Sequence, residues 1–378
     1  MSNLTSSTFF IVAGEQSADN HGASLMKAML SQNHNVKFSG IGGNKMISAG
    51  LNSIENIEKM AVMGFVEVIR YLGFFHNLTK RVLDEIDNCQ PSQIILIDYP
   101  GFNLRLAKKI KGHFNIPIIY YISPQIWAWK ENRIEIIRKY VDRMLVIFPF
   151  EEKWYKKRGI QAKFVGHPIF DAWQPTPKEE LCEQLNLKPE KPIITLYPGS
   201  RNQEISRHFP ILIQVAKKLR QDNPDIQFVF GAAQNINIKK RQIPSWIQIE
   251  NNHPQKALEC AGLALIASGT STLEAAVFGT PMIIIYKMAL FSWLVSRVLV
   301  NVPFAGMVNI IAGSMIMPEL LQNKATSGQI YKMASEIINN PEKITQLKFE
   351  LSKVQDLLKG EGASNRAAKY ILEMDESP

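Results

Sequence analysis

The chain has 378 residues, which is more than one hydrophobic core usually serves, so two domains are expected. Hydrophobic residues make up 46% of the chain and charged residues 20%, a globular composition that excludes an intrinsically disordered protein. Lysine and arginine (43) exceed aspartate and glutamate (34), and the net charge of +9 favours an anionic partner. The three cysteines form no Cys-x-x-Cys pair and no even-numbered framework, which fits a reducing compartment.

The beginning of the chain, MSNLTSSTFFIVAGEQ, lacks the basic residues that open a secretory signal peptide, and its apolar run FFIVA is too short for one. The most apolar long segment, 282–300, is interrupted by Lys287 and Arg297. A membrane-spanning helix needs about 20 mostly apolar residues. We therefore expect neither a signal peptide nor a transmembrane helix.

Short apolar runs alternate with longer amphipathic stretches along the whole chain. The runs that predict buried strands are 8–14, 93–98, 117–123 and 143–149 in the first half and 191–199, 226–232, 263–268 and 281–287 in the second. Helical patterns between them include GASLMKAMLSQ, FNLRLAKKIKGH and RHFPILIQVAKKLRQD. This alternation, with continuously apolar strands, is typical of α/β proteins whose parallel sheets are covered on both faces.

The two halves of the chain show the same alternation of strands and helices. The polar segment 173–192, which contains four prolines, is predicted to be a linker between them. The sequence therefore predicts two Rossmann-like domains, residues 1–180 and 190–340, with parallel sheets that face a cleft. Residues 341–378 are expected to form C-terminal helices that can pack back on the first domain. Ligands of such sheets bind beyond the carboxyl ends of the strands, so the turns that follow the strands are candidate sites.

Two turns in the first half carry acidic residues. The turn GEQSAD (14–19) follows the first strand, and Asp98 ends the strand QIILID. A partly buried carboxylate at a strand end is a candidate general base, because burial can raise its pKa. The alternative is that Asp98 caps the following helix. His167, in the turn GHP, is either a proton carrier or a turn histidine.

Two aromatic stretches of the first half have a composition that suits a lipid surface. Segment 60–75 is rich in phenylalanine and methionine, and SPQIWAWKENR (123–133) places two tryptophans beside Lys130 and Arg133. Residues 128–163 hold ten lysines and arginines against five acidic residues, which suits anionic head groups. The alternatives are a core helix, a packed aromatic turn and an ordinary solvated basic face.

Two turns in the second half are rich in the groups that bind anions. Residues 198–201 (PGSR) follow one strand and precede Glu204, and residues 268–272 (SGTST) follow a later strand and precede Glu274. Backbone amides, hydroxyls and an arginine suit phosphate, so the two turns could hold one diphosphate while Glu274 accepts hydrogen bonds from a ribose. The alternatives are a type II turn with a surface arginine and a capping box formed by Ser271 and Glu274.

Several motifs are missing from the sequence. It contains no GxGxxG and no GxxxxGK[ST], so neither NAD nor a P-loop nucleotide is expected. It contains no DxD-type metal motif. No nucleic-acid-binding motif accompanies the basic residues, and nucleic acid is therefore not expected as a partner.

Taken together, these stretches make the chain resemble the lipid-A-disaccharide synthase family of GT-B glycosyltransferases. The matching segments run nearly from end to end: 14–26, 60–69, 97–103, 120–133, 148–155, 164–168, 196–205, 267–288 and 299–313. The segments SPQIWAWKENR and PGSRNQEI are particular to this family rather than shared by GT-B enzymes in general.

The chain departs from the family motifs at three positions. Ala18 replaces the glycine of GExSGD, Gly101 replaces the second acid of IDxPDFN, and Val308 replaces the proline of LPNLLAG. Gly101 weakens any mechanism that needs a carboxylate at that position. The motif residues that remain are Glu15, Asp19, Asp98, Asn103, Arg201, Glu274 and Asn309.

The resemblance implies one reaction of lipid A biosynthesis. UDP-2,3-diacylglucosamine donates its sugar to the 6-hydroxyl of 2,3-diacylglucosamine 1-phosphate (lipid X). The products are the β-1,6-linked lipid A disaccharide 1-phosphate and UDP. Because an α-linked donor gives a β product, the configuration inverts in a single displacement that needs a base. GT-B enzymes of this kind commonly work without a metal, and no cofactor is expected.

The resemblance and the turns together assign expected roles. Asp98 is the expected base, and Arg201 is expected to stabilise the charge on the leaving UDP. The expected nucleotide-binding residues are Gly199, Ser200, Arg201, Glu204, Ser268, Gly269, Thr270, Glu274 and Asn309. The expected acceptor-side residues are Glu15, Asp19, Asn103 and Ser123.

Both substrates of this reaction carry acyl chains. The resemblance therefore implies a cytoplasmic protein bound peripherally to the anionic inner face of the inner membrane, with a homodimer left open. Two alternatives remain from the sequence. One is a UDP-sugar 2-epimerase of GT-B-like fold, and the other is a non-catalytic peripheral protein that binds anionic lipid.

Overall fold

The structure is a computed structural model, and it describes residues 7–60, 72–232, 242–289, 293, 302–358 and 360–375. The chain divides into two compact units. The first consists of Met1–Ala172 and Leu358–Pro378, and the second of Trp173–Leu357. Each unit is built around one parallel sheet.

The first unit alternates strands and helices. Its strands are β1 (Ser7–Ala13), β2 (Val36–Gly42), β3 (Leu51–Asn56), β4 (Gln93–Ile97), β5 (Ile118–Tyr121), β6 (Arg143–Val146) and β7 (Ala162–Phe164). Its helices are α1 (Gln16–Gln32), α2 (Asn44–Ser48), α3 (Leu72–Cys89), α4 (Pro100–Lys111), α5 (Ile134–Tyr140), α6 (Pro149–Lys156), α7 (Ile169–Ala172) and, from the end of the chain, α15 (Ala363–Asp375).

The second unit repeats the pattern. Its strands are β8 (Ile193–Tyr197), β9 (Gln227–Gly231), β10 (Ile247–Glu250), β11 (Leu263–Ala267), β12 (Met282–Tyr286) and β13 (Glu319–Leu321). Its helices are α8 (Lys178–Gln184), α9 (Asn202–Asp222), α10 (Pro254–Glu259), α11 (Ser271–Val277), α12 (Met307–Ala312), α13 (Ser327–Ile338) and α14 (Pro341–Leu357).

The two sheets have the same topology. The first has the order β3-β2-β1-β4-β5-β6-β7, and the second has β10-β9-β8-β11-β12-β13. If the strands of each unit are counted from its own first strand, both follow the doubly wound order 3-2-1-4-5-6, and the first sheet adds a seventh strand at its edge. The prediction of two Rossmann-like parallel sheets is confirmed.

The burial of the central strands explains why they could be recognised from the sequence. Every residue of β4, β8 and β11 is buried. A strand buried on both faces is mostly apolar, with few polar residues such as Gln93 and Thr195, and this produces the nearly continuous hydrophobic runs in the sequence. Five further strands, β2, β3, β7, β10 and β13, were not predicted, because they are short, partly polar or at a sheet edge.

The segment predicted as a linker, 173–192, is different in the structure. It contains α8, and its apolar side chains join a buried cluster of the second unit formed by Leu181, Cys182, Leu185, Leu187, Ile193, Val229, Ala257 and Cys260. Residues 341–378 were expected to form C-terminal helices that can pack back on the first domain; of the two helices there, α14 belongs to the second unit and α15 to the first.

Helix α15 is attached to the first unit by specific contacts. The carboxylate of Asp171 accepts hydrogen bonds from the amides of Gly362 (2.7 Å), Ala363 (3.1 Å) and Ser364 (2.7 Å). The guanidinium of Arg366 donates to the carbonyl oxygen of Val165 at 2.7 Å. A carboxylate that receives the free amides of a helix start is a stabilising cap.

Within the residues that the structure describes, no helix combines the length and apolarity that a membrane span requires. Most of the predicted lipid-facing segment 60–75 lies outside the described residues, because positions 61–71 are not among them. Phe74 and Phe75 are described, and both pack partly buried against the first core. The ring of Phe75 lies 5.4 Å from that of Phe102.

Candidate functional site

The predicted turns lie at the switch points of the two sheets. Strand β1 pairs with β2 on one side and β4 on the other, and β8 pairs in the same way with β9 and β11. At such a point the connecting helices leave in opposite directions, and ligands bind beside the carboxyl ends of the two strands. In the first unit these ends carry Glu15 and Asp98. In the second they carry residues 198–201 and 268–270.

Asp98 lies in a strained turn. Its φ angle is 45° and that of Tyr99 is 47°, so two consecutive residues adopt the left-handed conformation. Each such residue costs about 1–2 kcal/mol. The side-chain amide of Asn103 donates to the carbonyl oxygens of Ile97 (3.1 Å) and Asp98 (2.8 Å), and the Tyr120 hydroxyl donates to the Asp98 carbonyl at 2.5 Å. These bonds hold the strained turn in place.

The Asp98 carboxyl has a pKa suited to proton transfer. Burial, followed by the negative charge of Glu15, raises the pKa of Asp98 to about 6, while the backbone amide of Tyr99 acts in the opposite direction. A carboxylate with this pKa is ionised at neutral pH and still basic enough to take a proton. The alternative role as a helix cap is not supported, because the N-cap residue of α4 is Tyr99.

Glu15 follows the strand that pairs with the strand of Asp98. The pairing aligns Ala13 with Ile97, so the two acidic residues come from adjacent strand ends. Between them the ring of Tyr99 covers Gly14, where a Cβ atom would come within 2.1 Å of the ring. Glu15 itself accepts a hydrogen bond from Ser17 at 2.6 Å and remains exposed.

Asp19 was expected on the acceptor side, but its carboxylate is occupied within the protein. It is fully buried and accepts hydrogen bonds from the amides of Gly43 (2.7 Å), Lys45 (3.1 Å) and Met46 (3.1 Å). These amides open α2, so Asp19 joins α1 to α2. Asp19 therefore shapes this edge of the sheet and offers no free carboxylate.

Ser123 is also occupied internally. Its hydroxyl donates to Glu151 at 2.5 Å, and the indole of Trp127 donates to the same carboxylate oxygen at 3.0 Å. Burial raises the pKa of Glu151 to about 7. Trp127 is therefore part of a packed turn, whereas Trp129, two residues later, is 46% exposed.

His167 is a buried turn histidine. Its Nδ1 accepts a hydrogen bond from the amide of Ile169 at 3.2 Å, and its ring packs 5.4 Å from Phe148. Burial lowers the pKa of His167 to about 3. The ring is therefore neutral throughout the physiological range, which argues against the proton-carrier interpretation.

In the second unit, Glu204 already occupies part of the predicted anion site. One of its oxygens accepts hydrogen bonds from the amides of Ser200 (3.2 Å) and Arg201 (3.3 Å). A Cβ atom on Gly199, whose φ angle is 116°, would lie 2.6 Å from that oxygen. The start of α9 is therefore capped by its own chain, and Glu204 is a structural residue of this turn.

Arg201 remains accessible. Its side chain is 80% exposed, and its guanidinium pairs with Glu204 at 3.0 Å. An exposed ion pair of this kind contributes little stability and is easily exchanged for another anion. The arginine can therefore leave Glu204 for a phosphate, with which it can form two parallel hydrogen bonds.

At the start of α11, no side chain takes up the amides as Glu204 does before α9. The amides of Gly269, Thr270 and Ser271 have no hydrogen-bond acceptor among the residues that the structure describes. The predicted capping box of Ser271 and Glu274 does not form, since Ser271 donates only weakly to Ala267 at 3.5 Å and α11 has no side-chain cap. This turn therefore presents free backbone donors.

Glu274 lies one helical turn further along α11. It is partly buried, and burial raises its pKa. Its carboxylate accepts no hydrogen bond in the described part of the chain. A partly buried carboxylate without a donor from the protein keeps its oxygens available, and such groups often meet a ligand.

Ser268 and Asn309 are committed to the protein itself. The Ser268 hydroxyl donates to the carbonyl oxygen of Ala305 at 2.6 Å. Asn309 is fully buried, and its amide donates to Met317 and Glu319, both at 2.8 Å. In this structure the Asn309 side chain holds α12 against β13, and its expected nucleotide contact stays a prediction.

Sequence reasoning missed three residues that organise these edges: Tyr120, Glu151 and His208. Tyr120 and Glu151 lie inside the motif segments, where they read as ordinary strand and helix positions. His208 had a usable signal. It stands between Ile205 and Leu212 at helical spacing on the buried face of α9. A histidine on an apolar stripe needs partners for its ring nitrogens.

Among the described residues, no three or more histidine, cysteine, aspartate or glutamate side chains are arranged to hold a metal ion.

Solved structures with the same fold include sugar-nucleotide enzymes. A putative UDP-N-acetylglucosamine 2-epimerase from Listeria monocytogenes aligns with a TM-score of 0.68 at 10% identity, covering 98% of this chain and 97% of that one. The glycotransferase of kitacinnamycin aligns with a TM-score of 0.67 at 12% identity, covering 97% and 98%. At these identities the similarity shows the fold alone, and it confirms the predicted GT-B architecture.

Sequence comparison is more specific. The model of a family described as lipid-A-disaccharide synthetase matches residues 9–374. The lipid-A-disaccharide synthase of Syntrophus aciditrophicus strain SB is 38% identical over 376 residues, covering 98% of each chain. The epimerases are similar in structure only. The chain therefore belongs to the lipid-A-disaccharide synthase family, and it is a glycosyltransferase of lipid A biosynthesis.

Proposed function

We propose that the enzyme transfers 2,3-diacylglucosamine from UDP-2,3-diacylglucosamine to the 6-hydroxyl of 2,3-diacylglucosamine 1-phosphate, with Asp98 as base and with Arg201 and the start of α11 as the diphosphate site. The observation that carries the donor side is Glu274. It is a partly buried carboxylate without a donor among the described residues, one turn beyond three open amides. Family membership supports the lipid A substrates.

The donor nucleotide uses both turns of the second unit. The free amides of residues 269–271 donate to phosphate oxygens, and Arg201 exchanges its contact with Glu204 for a second set of oxygens. The ribose hydroxyls of UDP donate to Glu274, which satisfies its carboxylate. In this arrangement Glu204 keeps the turn of Ser200 in shape while Arg201 binds.

The transfer itself is one displacement. The acceptor 6-oxygen forms a bond to the anomeric carbon of the donor sugar as the bond from that carbon to the UDP oxygen breaks. The hydroxyl proton passes to Asp98, and the electron pair of the broken bond leaves with UDP. Arg201 stabilises the negative charge that builds on the diphosphate. The attack comes from the face opposite UDP, so the configuration inverts.

Each acceptor-side residue contributes through the strand ends of the first unit. Asn103 fixes the carbonyl of Asp98, Asp19 fixes the start of α2, and Ser123 fixes the turn of Trp127. Glu15 remains exposed beside Asp98 and can accept a hydrogen bond from a sugar hydroxyl. Gly101 leaves Asp98 as the carboxylate of this motif.

The proposal includes peripheral association with the anionic inner face of the inner membrane. Trp129 is 46% exposed, and the ammonium of Lys130 lies 4.3 Å from the centre of its ring. An exposed tryptophan beside a cation suits the interface of head groups and acyl chains. Part of the basic surplus is already paired, since Arg138 contacts Glu135 and Arg158 contacts Glu131.

One assay tests the reaction. The purified enzyme is incubated with both lipid substrates in detergent micelles, and UDP release and a disaccharide product are measured together. We expect equal amounts of the two. Conversion of water-soluble UDP-N-acetylglucosamine in the absence of lipid, without disaccharide formation, would contradict the proposal and favour the epimerase.

A substitution tests the donor site. In Glu274→Gln the amide accepts hydrogen bonds more weakly than the carboxylate, so we expect the donor KM to rise about tenfold or more. Glu179→Gln, which changes an exposed glutamate of the same unit, serves as the control. An unchanged donor KM in Glu274→Gln would remove the ribose contact from the proposal.

A further inference from the structure

His208 is a buried histidine that the proposed reaction does not use. It lies in α9 and is 1% exposed. Both of its ring nitrogens are engaged. Nδ1 lies 2.8 Å from the carbonyl oxygen of Pro198, and Nε2 accepts a hydrogen bond from the amide of Lys287 at 2.9 Å.

These partners determine the protonation state of the ring. The amide of Lys287 can only donate, so Nε2 must carry a lone pair. The carbonyl of Pro198 can only accept, so the proton is on Nδ1. Burial lowers the pKa of His208, which is consistent with a neutral ring. The histidine is therefore a fixed donor at one end and a fixed acceptor at the other.

The two partners of His208 stand on either side of the proposed diphosphate site. Pro198 follows β8, and Lys287 follows β12. In the sheet, β8 and β12 are the two neighbours of β11, whose end carries the open turn of Gly269 and Thr270. His208 thus joins the loops that flank this turn.

Pro198 begins the segment that ends in Arg201. Its position relative to the turn after β11 determines how far the guanidinium must reach for a bound diphosphate. Glu204 fixes this segment from within, through the amides of Ser200 and Arg201. His208 fixes the same segment to the loop after β12, on the other side of the proposed diphosphate site.

We propose that His208 is a positioning residue for the sugar-nucleotide donor: it ties the Pro198 turn to the loop after β12 and so keeps Arg201 aligned with the phosphates on the turn after β11. The inference rests on the proposed donor site, and it concerns no direct contact between His208 and the substrate.

Three substitutions separate the two bonds. His208→Phe removes both and keeps a ring that can pack against Tyr286, which lies 5.8 Å away. His208→Asn keeps an amide near Nδ1 for Pro198, and His208→Gln keeps an amide near Nε2 for Lys287. His253→Phe changes an exposed histidine of the same unit and serves as the control.

The measurements are the donor KM, the acceptor KM, kcat and the Kd for UDP. We expect His208→Phe to raise the donor KM and the UDP Kd about tenfold, in line with the loss of a buried hydrogen bond. The acceptor KM should stay unchanged. His208→Asn and His208→Gln should give intermediate values. A merely structural role would lower thermal stability and the active fraction without moving either donor constant.

Arg201→Ala and the double variant with His208→Phe complete the test. Because His208 acts through Arg201, the two effects on UDP affinity should be clearly less than additive. A folded His208→Phe with unchanged donor constants overturns the inference, and if that variant does not fold, unchanged constants in both His208→Asn and His208→Gln overturn it. Unchanged UDP affinity in Arg201→Ala would instead overturn the proposed diphosphate site.

Discussion

The switch points of the two sheets share their topology and differ in how their polar groups are used. At the first, Asp19, Asn103 and Ser123 are buried and bonded to their own chain. At the second, Gly269 and Thr270 are exposed with open amides, and Arg201 is 80% exposed. The first edge thus bonds most of its polar side chains within the protein, although Asn103 Oδ1 has no partner and Glu15 stays exposed, whereas the second edge keeps backbone amides and a guanidinium accessible.

The difference fits the two chemical tasks that we propose for these edges. A base must keep its position and a raised pKa, and burial with rigid neighbours supplies both. A diphosphate site must exchange water for ligand at every turnover, so its donors cannot already be consumed. The strained turn of Asp98 and the open turn of Gly269 are the two results.

The largest expected effect comes from removing the base. Asp98→Asn keeps the shape of the side chain and removes the proton acceptor, so we expect kcat to fall about 10²–10⁴-fold with little change in the donor KM. Asp84→Asn, at an exposed position of α3, should keep full activity. A fully active Asp98→Asn would mean that the buried edge serves structure alone.

The second prediction concerns stability at the two edges. Asn103→Ala removes a buried donor to the carbonyl oxygens of Ile97 and Asp98, and we expect a loss of about 1–3 kcal/mol in the free energy of unfolding. Thr270→Ala removes an exposed hydroxyl that caps nothing, so its effect should stay within about 0.5 kcal/mol. Denaturant titration measures both, and equal losses would erase the contrast.

The smallest expected effect is a change in the pH profile. With an Asp98 pKa of about 6, kcat/KM should fall as the pH drops through that value, because the protonated acid cannot act as a base. The negative charge of Glu15 contributes to raising this pKa. Glu15→Gln should therefore move the acid limb to lower pH. A shift to higher pH, or none, would show that Glu15 does not act on Asp98.

The sequence predicted the parts of the fold that depend on local pattern. All eight predicted apolar runs form strands, because a strand buried on both faces is apolar at nearly every position. The polar strand β3 (LNSIEN) and the three-residue strand β7 (AKF) carry no such signal, and they are held by pairing with strands already in place. Edge strands therefore escaped prediction.

The candidate site was also only partly predictable from the sequence. Candidate residues that follow a strand end, such as Asp98 and Arg201, could be proposed from the sequence, because topology alone brings strand ends together, and their roles stay predictions. The sequence could not show which polar groups form hydrogen bonds within the protein. Asp19 finds its partners at Gly43 and Met46, and His208 finds one at Lys287, far along the chain. Such partners depend on tertiary packing.

The return of α15 to the first unit has a consequence for biosynthesis. Ala367, Ala368 and Ile371 of this helix are fully buried, yet the ribosome makes them only after the whole second unit. The second unit can complete its fold as soon as it emerges, whereas the half that was translated first stays unfinished. Folding order therefore runs against synthesis order, and the nascent first half carries an uncovered apolar face that chaperones can bind until α15 arrives.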